Sequence, residues 1–416
     1  GLVGSEMCIR DRLVLMCGIA GIITIKNSKI DSTVVENVKR SLEHRGPDHS
    51  SHQFIKESVC LIHTRLSIID LNDRSNQPFQ SNDERYTIVF NGEIYNYKEL
   101  RKELETKGHK FITNGDTEVL LQGYIEYEEK ILNKLRGQFA FVIYDKITNE
   151  LFMARDRIGI KPLYYSVNDN WILFGSEIKA IELSKLIEFE PDIDSYLAYL
   201  RHLCVPADST GNKNIKKLEP GQYIRIDKNG KISKKIYWDP FTFSVNHDLN
   251  EKNVVEELDR LLNESVEYRK VSDVEVGLFL SGGLDSSLLG KLMKQNSDSS
   301  LKAFNVDFEE NFEGYRGELK EARYASSEIG INLNEEKINF DNFKEIFDNY
   351  AYYQDDLVGD EVGIPLYFLG KSSRSSGIKV VLVGEGSDEL FYGYDHWNRL
   401  LKFCLLYTSP SPRDRG

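Results

Sequence analysis

A chain of 416 residues, 40% of them hydrophobic, has room for two to three domains with sizeable cores. Its net charge of −13 argues against unspecific contact with nucleic acid or a membrane surface, and no uncharged apolar run approaches bilayer length. Five scattered cysteines, Cys8, Cys17, Cys60, Cys204 and Cys404, fit free thiols in a reducing cytoplasm, and their spacing offers no zinc site.

Both ends look foreign. Residues 1–15 contain SEMCIRDR and are too charged for a signal peptide; residues 405–416 contain LYTSPSPRDRG, whose prolines stop any helix. Both resemble translated sequencing-adapter sequence and are set aside from fold reasoning. The pair Met7-Cys8 is discounted because Ile-Arg-Asp-Arg follows it, not a strand.

The stretch Met16-Cys17-Gly18 opens the first predicted strand, Ile19–Ile25. With Met16 trimmed away, the α-amine of Cys17 would lie beside its own thiol. Such an amine has an ordinary pKa of about 7.7–8.0 and can act as the thiol's base. The alternative is a strand that merely begins with cysteine.

Asp31 predicts the N-cap of a helix reaching about His44, with Val34, Val35 and Val38 on one face. A turn-rich loop follows, His44-Arg45-Gly46-Pro47-Asp48. Val59–Ile69 reads as a strand carrying His63, Thr64 and Arg65; Tyr86–Phe90 reads as another, running into Asn91-Gly92-Glu93. Asn96 predicts the cap of a helix to Lys107, and Thr113-Asn114-Gly115-Asp116 leads into a helix to about Tyr127. Gln138–Asp145 and Leu151–Arg155 read as a hairpin, followed by a strand at Trp171–Gly175. Blocks of strands and helices, without strict alternation, favour stacked sheets with helices outside.

The middle, about Leu183–Val245, is mixed: a helix at Asp192–His202, then short strands at Gly221–Ile226 and Ile232–Trp238. Asp239–Asn250 is the best linker. Beyond it a helix at Glu251–Arg269, strands at Val274–Leu280, Leu301–Val306 and Ile378–Val383, and helices after Gly317, Phe340 and Ser387 alternate. That alternation predicts a parallel α/β sheet.

Two loops after strands carry the chemistry of this second half. Ser281-Gly282-Gly283-Leu284-Asp285-Ser286-Ser287 lets backbone N–H groups and a helix N-terminus face a phosphate, and it lacks the lysine and spacing of a Walker A loop. Gly384-Glu385-Gly386-Ser387-Asp388-Glu389 places three carboxylates where strand ends line a ligand crevice. Asp285 and Asp388 suit Mg²⁺, and Glu385 could take a proton from an attacking amine. In the front half, Arg65 can bind a carboxylate, Asn91 and the Gly92 N–H can form an oxyanion hole, and Glu93 and Asp116 can hold an ammonium. Together they describe a free amino acid beside a cysteine nucleophile. His44 and His63 read as structural, Cys60 and Cys204 as core thiols.

Nine strings, MCGIAG, HRGPD, RLSIID, FNGEIYN, GDTEVLL, RDRIGIKPLYY, GSEIKA, SGGLDSS and GEGSDELFYGY, spread over Met16 to about Trp397. Together they resemble the glutamine-hydrolysing asparagine synthetase family. The resemblance implies an αββα sandwich of the N-terminal-nucleophile type at 16–185, a connecting segment at 186–250 and a PP-loop synthetase domain at 251–404. The latter is an α/β parallel-sheet domain, like the adenine nucleotide α-hydrolases. It implies Cys17 as nucleophile and Arg65, Asn91, Gly92, Glu93 and Asp116 around glutamine. It further implies Leu280, Ser281, Gly282, Gly283, Leu284, Asp285, Ser286, Val306, Val383 and Gly384 around ATP, Asp285 and Asp388 on Mg²⁺, and Glu385 as general base.

The implied reaction is ATP-dependent amidation of a carboxylate through an acyl-adenylate, with ammonia passed internally from glutamine. Aspartate is the expected acceptor. The segment Asp355–Pro365 lacks the Thr/Arg/Ser-rich pattern of familiar aspartate-using members, so a uronic acid of cell-surface polysaccharide remains the alternative. A third reading is a truncated fragment that only binds or hydrolyses glutamine, since family members continue past the point where this chain turns foreign. The expected partners are small molecules in the cytoplasm, without nucleic acid or membrane, and a homodimer is compatible with the resemblance.

Overall fold

The computed structural model describes residues 16–244, 250–295, 300–309, 317–359, 362–394, 397 and 399–401. Both adapter-like tails, the Met7-Cys8 pair, Cys404 and residues 245–249 of the expected linker lie outside them.

The front strands run Gly18–Thr24 (β1), His49–Lys56 (β2), Val59–Arg65 (β3), Phe79–Gln80 (β4), Tyr86–Ile94 (β5), Gly137–Asp145 (β6), Glu150–Arg155 (β7), Tyr164–Val167 (β8), Trp171–Gly175 (β9), Lys216–Lys217 (β10), Gln222–Ile226 (β11) and Ile232–Ile236 (β12). They form two antiparallel sheets, ordered β10-β8-β9-β1-β3-β2 and β12-β11-β7-β6-β5-β4. Side chains alternate between faces along a strand. Ile19 and Ile23 of β1 therefore meet Val89, Val142, Met153 and Ile224 of the other sheet. Ala20 and Ile22, pointing the other way, pack with Val35 and Val38 of the helix Ser32–Ser41. Beyond the second sheet, Ile88, Phe90 and Phe141 pack on the helices Tyr97–Thr106 and Asp116–Tyr127 through Leu100, Leu104 and Leu120. The result is αββα, with both faces of each central strand covered. That is why those strands read as unbroken apolar runs.

Several details differ from the sequence reading. The first helix, capped by Asp31 on Thr33 N, ends at Ser41, short of His44. β3 ends at Arg65 instead of Ile69, and residues 66–70 turn away into a loop. β5 continues to Ile94, so Asn91-Gly92-Glu93 lie inside a strand and not past its end. Asn96 makes no side-chain bond to its own helix; it ties the neighbouring segment through Arg136 N (2.9 Å) and Lys134 O (3.0 Å). Cys60 is wholly buried, which pushes its thiol up to about 12, but Cys204 is only half-buried.

The second half holds Val276–Phe279 (β13), Lys302–Phe308 (β14), Asn332–Ile338 (β15) and Val380–Leu382 (β16), parallel in the order β15-β14-β13-β16. Leu278, Leu280 and Ala303 pack with Val266 and Leu292 of the helices Glu251–Arg269 and Leu284–Gln295. Phe279, Phe304 and Ile378 pack with Leu366 of the helix Gly363–Ser375. Because β13 and β16 are neighbours, the two chemistry-bearing loops that follow them emerge side by side. Among the described residues no helix is long and apolar enough to cross a membrane.

The halves are joined by polar contacts. Asp273 N donates to Ile68 O (3.0 Å), and Asp70 N donates to the Asp273 carboxylate (2.8 Å). Asp355 accepts from the N–H groups of Ile178 and Lys179, while Asp356 accepts from Tyr164 Oη (2.9 Å) and pairs with Lys217 (2.8 Å). Lys379 pairs with Asp48 (2.7 Å).

Candidate active sites

All six front-half candidates, Cys17, Arg65, Asn91, Gly92, Glu93 and Asp116, line one cavity of about 50 Å³. Three strands and a helix supply them. Cys17 precedes β1, Arg65 ends β3, Asn91 to Glu93 lie in β5, and Asp116 opens the helix Asp116–Tyr127.

Arg65 is held by the loop that follows it. Its guanidinium donates to Asn72 O (3.1 Å), Asn76 Oδ1 (2.7 Å) and Asp70 O (2.5 Å). The loop itself is pinned by the Asp70 carboxylate, which accepts from Ser75 Oγ and Asn114 N, each at 2.7 Å. Hydrogen bonds from Ser75, Asn114 and Asn72 outweigh burial and hold Asp70 below the usual carboxylate range.

Asn91 is fully buried, and neither its amide nitrogen nor its amide oxygen has a hydrogen-bond partner among the described residues. Buried amides are nearly always paired, so an unmatched one points to a ligand. Gly92 has φ +149°, and a Cβ there would lie 2.1 Å from Gln138 O. Only glycine lets β5 pass this close to β6.

The Cys17 thiol lies 3.4 Å from Leu66 N and 3.6 Å from Leu66 O. Burial pushes it up, against the Leu66 hydrogen bond and the charges of Arg65, Arg45 and Lys161. Burial likewise raises Glu93 to about 7, with Lys161 opposing and Asp116 adding to the shift. It raises Asp116 to about 6 against the hydrogen bond from Ile94 N (2.9 Å). Two carboxyls poised to ionise fully only when a cation arrives suit an ammonium ligand.

His63 Nε2 donates to Phe90 O (3.2 Å), and burial pushes the ring down to about 3, which keeps it neutral. His44 lies 3.0 Å from Glu177. Sequence reasoning singled out neither Glu177 nor Arg45 nor Lys161 individually, although all three sit inside quoted motifs. Arg45, 1% exposed, donates to Cys17 O (3.0 Å) and pairs with the fully buried Glu177 (3.0 Å). Burial opposes ionisation of Glu177, but His44, Arg45 and Lys179 win and hold it well below its ordinary range. Gln77, also missed, clamps β5 through Phe90 N (2.6 Å) and Thr117 (3.3 Å). An isolated Gln carries no sequence signal for this.

In the second half, Leu280 is buried and its N–H donates to Phe304 O (2.9 Å), which fixes the start of the Ser281 loop. Asn305, not anticipated, donates to Leu280 O (2.8 Å). Ser281 Oγ meets Ser286 Oγ (2.9 Å) and Gly283 N (3.2 Å), and Leu284 is exposed. Gly282, at φ +86°, passes so close to the helix Leu319–Ile329 that a Cβ would lie 2.3 Å from the Glu321 carbonyl carbon. A Cβ on Gly384 would lie 2.8 Å from Ser286 N, so the two loops touch. Val306 and Val383 are partly buried: Val383 leads directly into the Gly384 loop, and Val306, inside β14, packs with Ile338 and Phe368. Burial, then Asp388 and Glu389, push the Asp285 carboxyl upward. Carboxylates that repel one another across two loops suit a hard cation that takes its remaining ligands from phosphate and water. Among the described residues no cluster of three or more metal-ligating side chains closes on its own. Glu385 is exposed on the loop before the helix Ser387–Phe391.

The chain matches a glutamine amidotransferase domain family over residues 16–238 and an asparagine synthase family over residues 257–408. It is 38% identical to asparagine synthetase (glutamine-hydrolyzing) 1 of Bacillus subtilis, covering 95% of this chain and 62% of that protein. It is 34% identical to putative asparagine synthetase (glutamine-hydrolyzing) 2 of Methanocaldococcus jannaschii, covering 95% and 81%. It is 33% identical to a protein named amidase chry2 of Gibberella zeae, covering 91% and 60%. The chain spans about three fifths of the length of several of the curated relatives it matches.

Proposed function

The chain belongs to the glutamine-hydrolysing asparagine synthetase family, and from that premise we propose that it releases ammonia from glutamine at Cys17 and uses it to amidate an adenylated carboxylate. The observation that carries the first half is the buried, unpartnered Asn91 amide in the cavity of Cys17. In this reading the α-amine of a chain beginning at Cys17 takes the thiol proton, and sulfur attacks the side-chain amide of glutamine. Asn91 Nδ2 and Gly92 N–H receive the developing oxyanion. Arg65 binds the substrate carboxylate, and Glu93 and Asp116 hold its ammonium. The proton passes to the leaving nitrogen, which departs as ammonia, and water releases glutamate from the thioester.

For the second half, ATP is the adenylating substrate, cradled by Leu280, Ser281 to Ser286, Val306, Val383 and Gly384. Asp285 and Asp388 would hold Mg²⁺, which neutralises charge on the departing pyrophosphate. Glu385 takes the proton that ammonia sheds on attack. Aspartate is the proposed acceptor. A second reading, another acid such as a uronic acid, draws on one observation: residues Asp355–Pro365 contain no Lys or Arg to hold a second carboxylate. The protein is proposed to act on small molecules in the cytoplasm.

Glutamate release by a chain beginning at Cys17 tests the first half; no release sinks it. AMP formation with aspartate and with sugar acids, in a protein carrying the remaining length of its relatives, tests the acceptor. AMP that responds to a sugar acid and not to aspartate would overturn the aspartate reading.

A further inference from the structure

Residues 66–70 form a wall of the front cavity and are also where the second half touches it. Leu66, Ile68 and Ile69 line the cavity, and Leu66 N lies 3.4 Å from the Cys17 sulfur. Within the front half, Arg65 grips this loop through the carbonyls of Asp70 and Asn72. Further holds fall on Ser67, Ile68 and Asp70. Ser67 N donates to Asp48 Oδ2 (2.8 Å), and the same oxygen accepts from Lys379 Nζ (2.7 Å). Ile68 O accepts from Asp273 N (3.0 Å), and Asp70 N donates to Asp273 Oδ2 (2.8 Å).

Lys379 and Asp273 come from one end of one sheet. Lys379 directly precedes β16, and Asp273 stands just before β13. These strands are parallel neighbours, with Val276 opposite Val380. Their starting ends therefore meet the loop at the front cavity, while their far ends carry the Ser281 and Gly384 loops. The steps derived above give these contacts no task.

Global stability is a poor explanation for them. Asp273 is exposed, and the side chains of Lys379 and Asp48 are 36% and 28% exposed. Ion pairs at such exposure add little to folding. Burial opposes ionisation of Asp48, but the hydrogen bonds from Lys379 and Ser67 N hold its carboxyl below the usual range. The effect of the contacts is local: with Ser67 and Asp70 held, the cavity-lining Ile68 and Ile69 between them are tied at both ends.

We propose that Asp273 and Lys379 are positioning residues for glutamine: the second half supplies an outer clamp that holds residues 66–70, and through them Arg65, in the geometry that binds substrate. Releasing the clamp weakens glutamine binding and leaves the chemistry at Cys17 and Asn91 intact. The inference rests on the reading of the front cavity as the glutamine site.

The test uses the full chain beginning at Cys17 and the variants Asp273→Ala, Asp273→Asn, Lys379→Met and Lys379→Arg. Asp273→Ala and Lys379→Met are each expected to raise KM for glutamine about threefold to tenfold, the scale of one lost hydrogen bond, with kcat for glutamate release within about twofold. Asp273→Asn keeps an accepting oxygen and Lys379→Arg keeps the charge, so both should restore KM. Because Lys379 acts through Asp48, Lys379→Met should add nothing in an Asp48→Ala background. An unmoved KM in either folded variant, or a fall in kcat shared by the conservative variants, overturns the proposal. Should one variant fail to fold, the other decides. If the unsubstituted chain releases no glutamate, the glutaminase reading fails by itself. The readout is then the glutamine concentration that half-protects Cys17 from iodoacetamide, and equal values in all variants, or no protection, overturn the clamp.

Discussion

The front cavity and the crevice at the ends of β13 and β16 handle charge in opposite ways. In the front, Arg45 meets Glu177, Arg65 meets loop oxygens, and the neutral Asn91 amide is left without a partner among the described residues. In the crevice, Asp285 is pushed upward by Asp388 and Glu389, and the surrounding loops are partly exposed. The first site is organised before its ligand arrives. The second is electrostatically unfinished and suits a ligand that brings cation and polyanion together. Perturbing each site separately should separate these two modes.

The largest effect is expected at the nucleophile. Cys17→Ala in a chain beginning at residue 17 should cut glutamate release at least about 10³-fold, with thermal unfolding unchanged. Asn91→Ala should lower kcat for glutamate release by about 10²–10³, with KM nearly constant, because its amide is aimed at the transition state. A comparable rise in KM instead would make Asn91 a ground-state binder. Asp388→Asn, in a protein carrying the remaining length of its relatives, should cut AMP formation about 10–100-fold and leave glutamate release intact. Loss of both would break the contrast between the sites.

The smallest effect is in pH dependence. Glu93 and Asp116 are raised to about 7 and about 6 in the folded protein. A carboxyl raised on folding lends stability that is full below its unfolded pKa and is lost as pH rises through the folded one. The front domain should therefore lose stability between about pH 4 and pH 7. An ammonium ligand offsets that loss by pairing with the ionised carboxylates. Glutamine should raise Tm more at pH 7.5 than at pH 5.5, and KM for glutamine should climb several-fold as pH falls from 7.5 to 5.5. A KM flat across that range would remove Glu93 and Asp116 from ammonium binding.

Much of this was legible in the residues. The buried strands of both sheets announced themselves as apolar runs; Cys17, Arg65 and Asp116 could be gathered because they sit near a strand start, at a strand end and at a helix start, and Asn91 and Gly92 because they follow an apolar run within β5. What escaped detection depends on tertiary context. β2, sequence HSSHQFIK, and β15, sequence NLNEEKI, are edge strands whose polar residues hide the period. β5 was cut short at Phe90 because Asn-Gly reads as a turn, whereas β6 pairs with it through Ile94. Glu177, Gln77 and Lys161 act through partners 13 to 145 residues away, beyond any local pattern. Asp355 and Asp356, read as part of the acceptor segment, also bond to the front half, where they accept from Lys179 N and Tyr164 Oη.

The central claim is that Cys17 works through its own α-amine. In the 416-residue chain sixteen residues precede Cys17, and its nitrogen is an amide that cannot take a proton. The direct test compares glutamate release by that chain with release by one beginning at Cys17, at equal concentration and pH. The account predicts that the shorter chain is active and the longer one is at least about 10²-fold slower, the scale of a lost general base. Equal rates would contradict it.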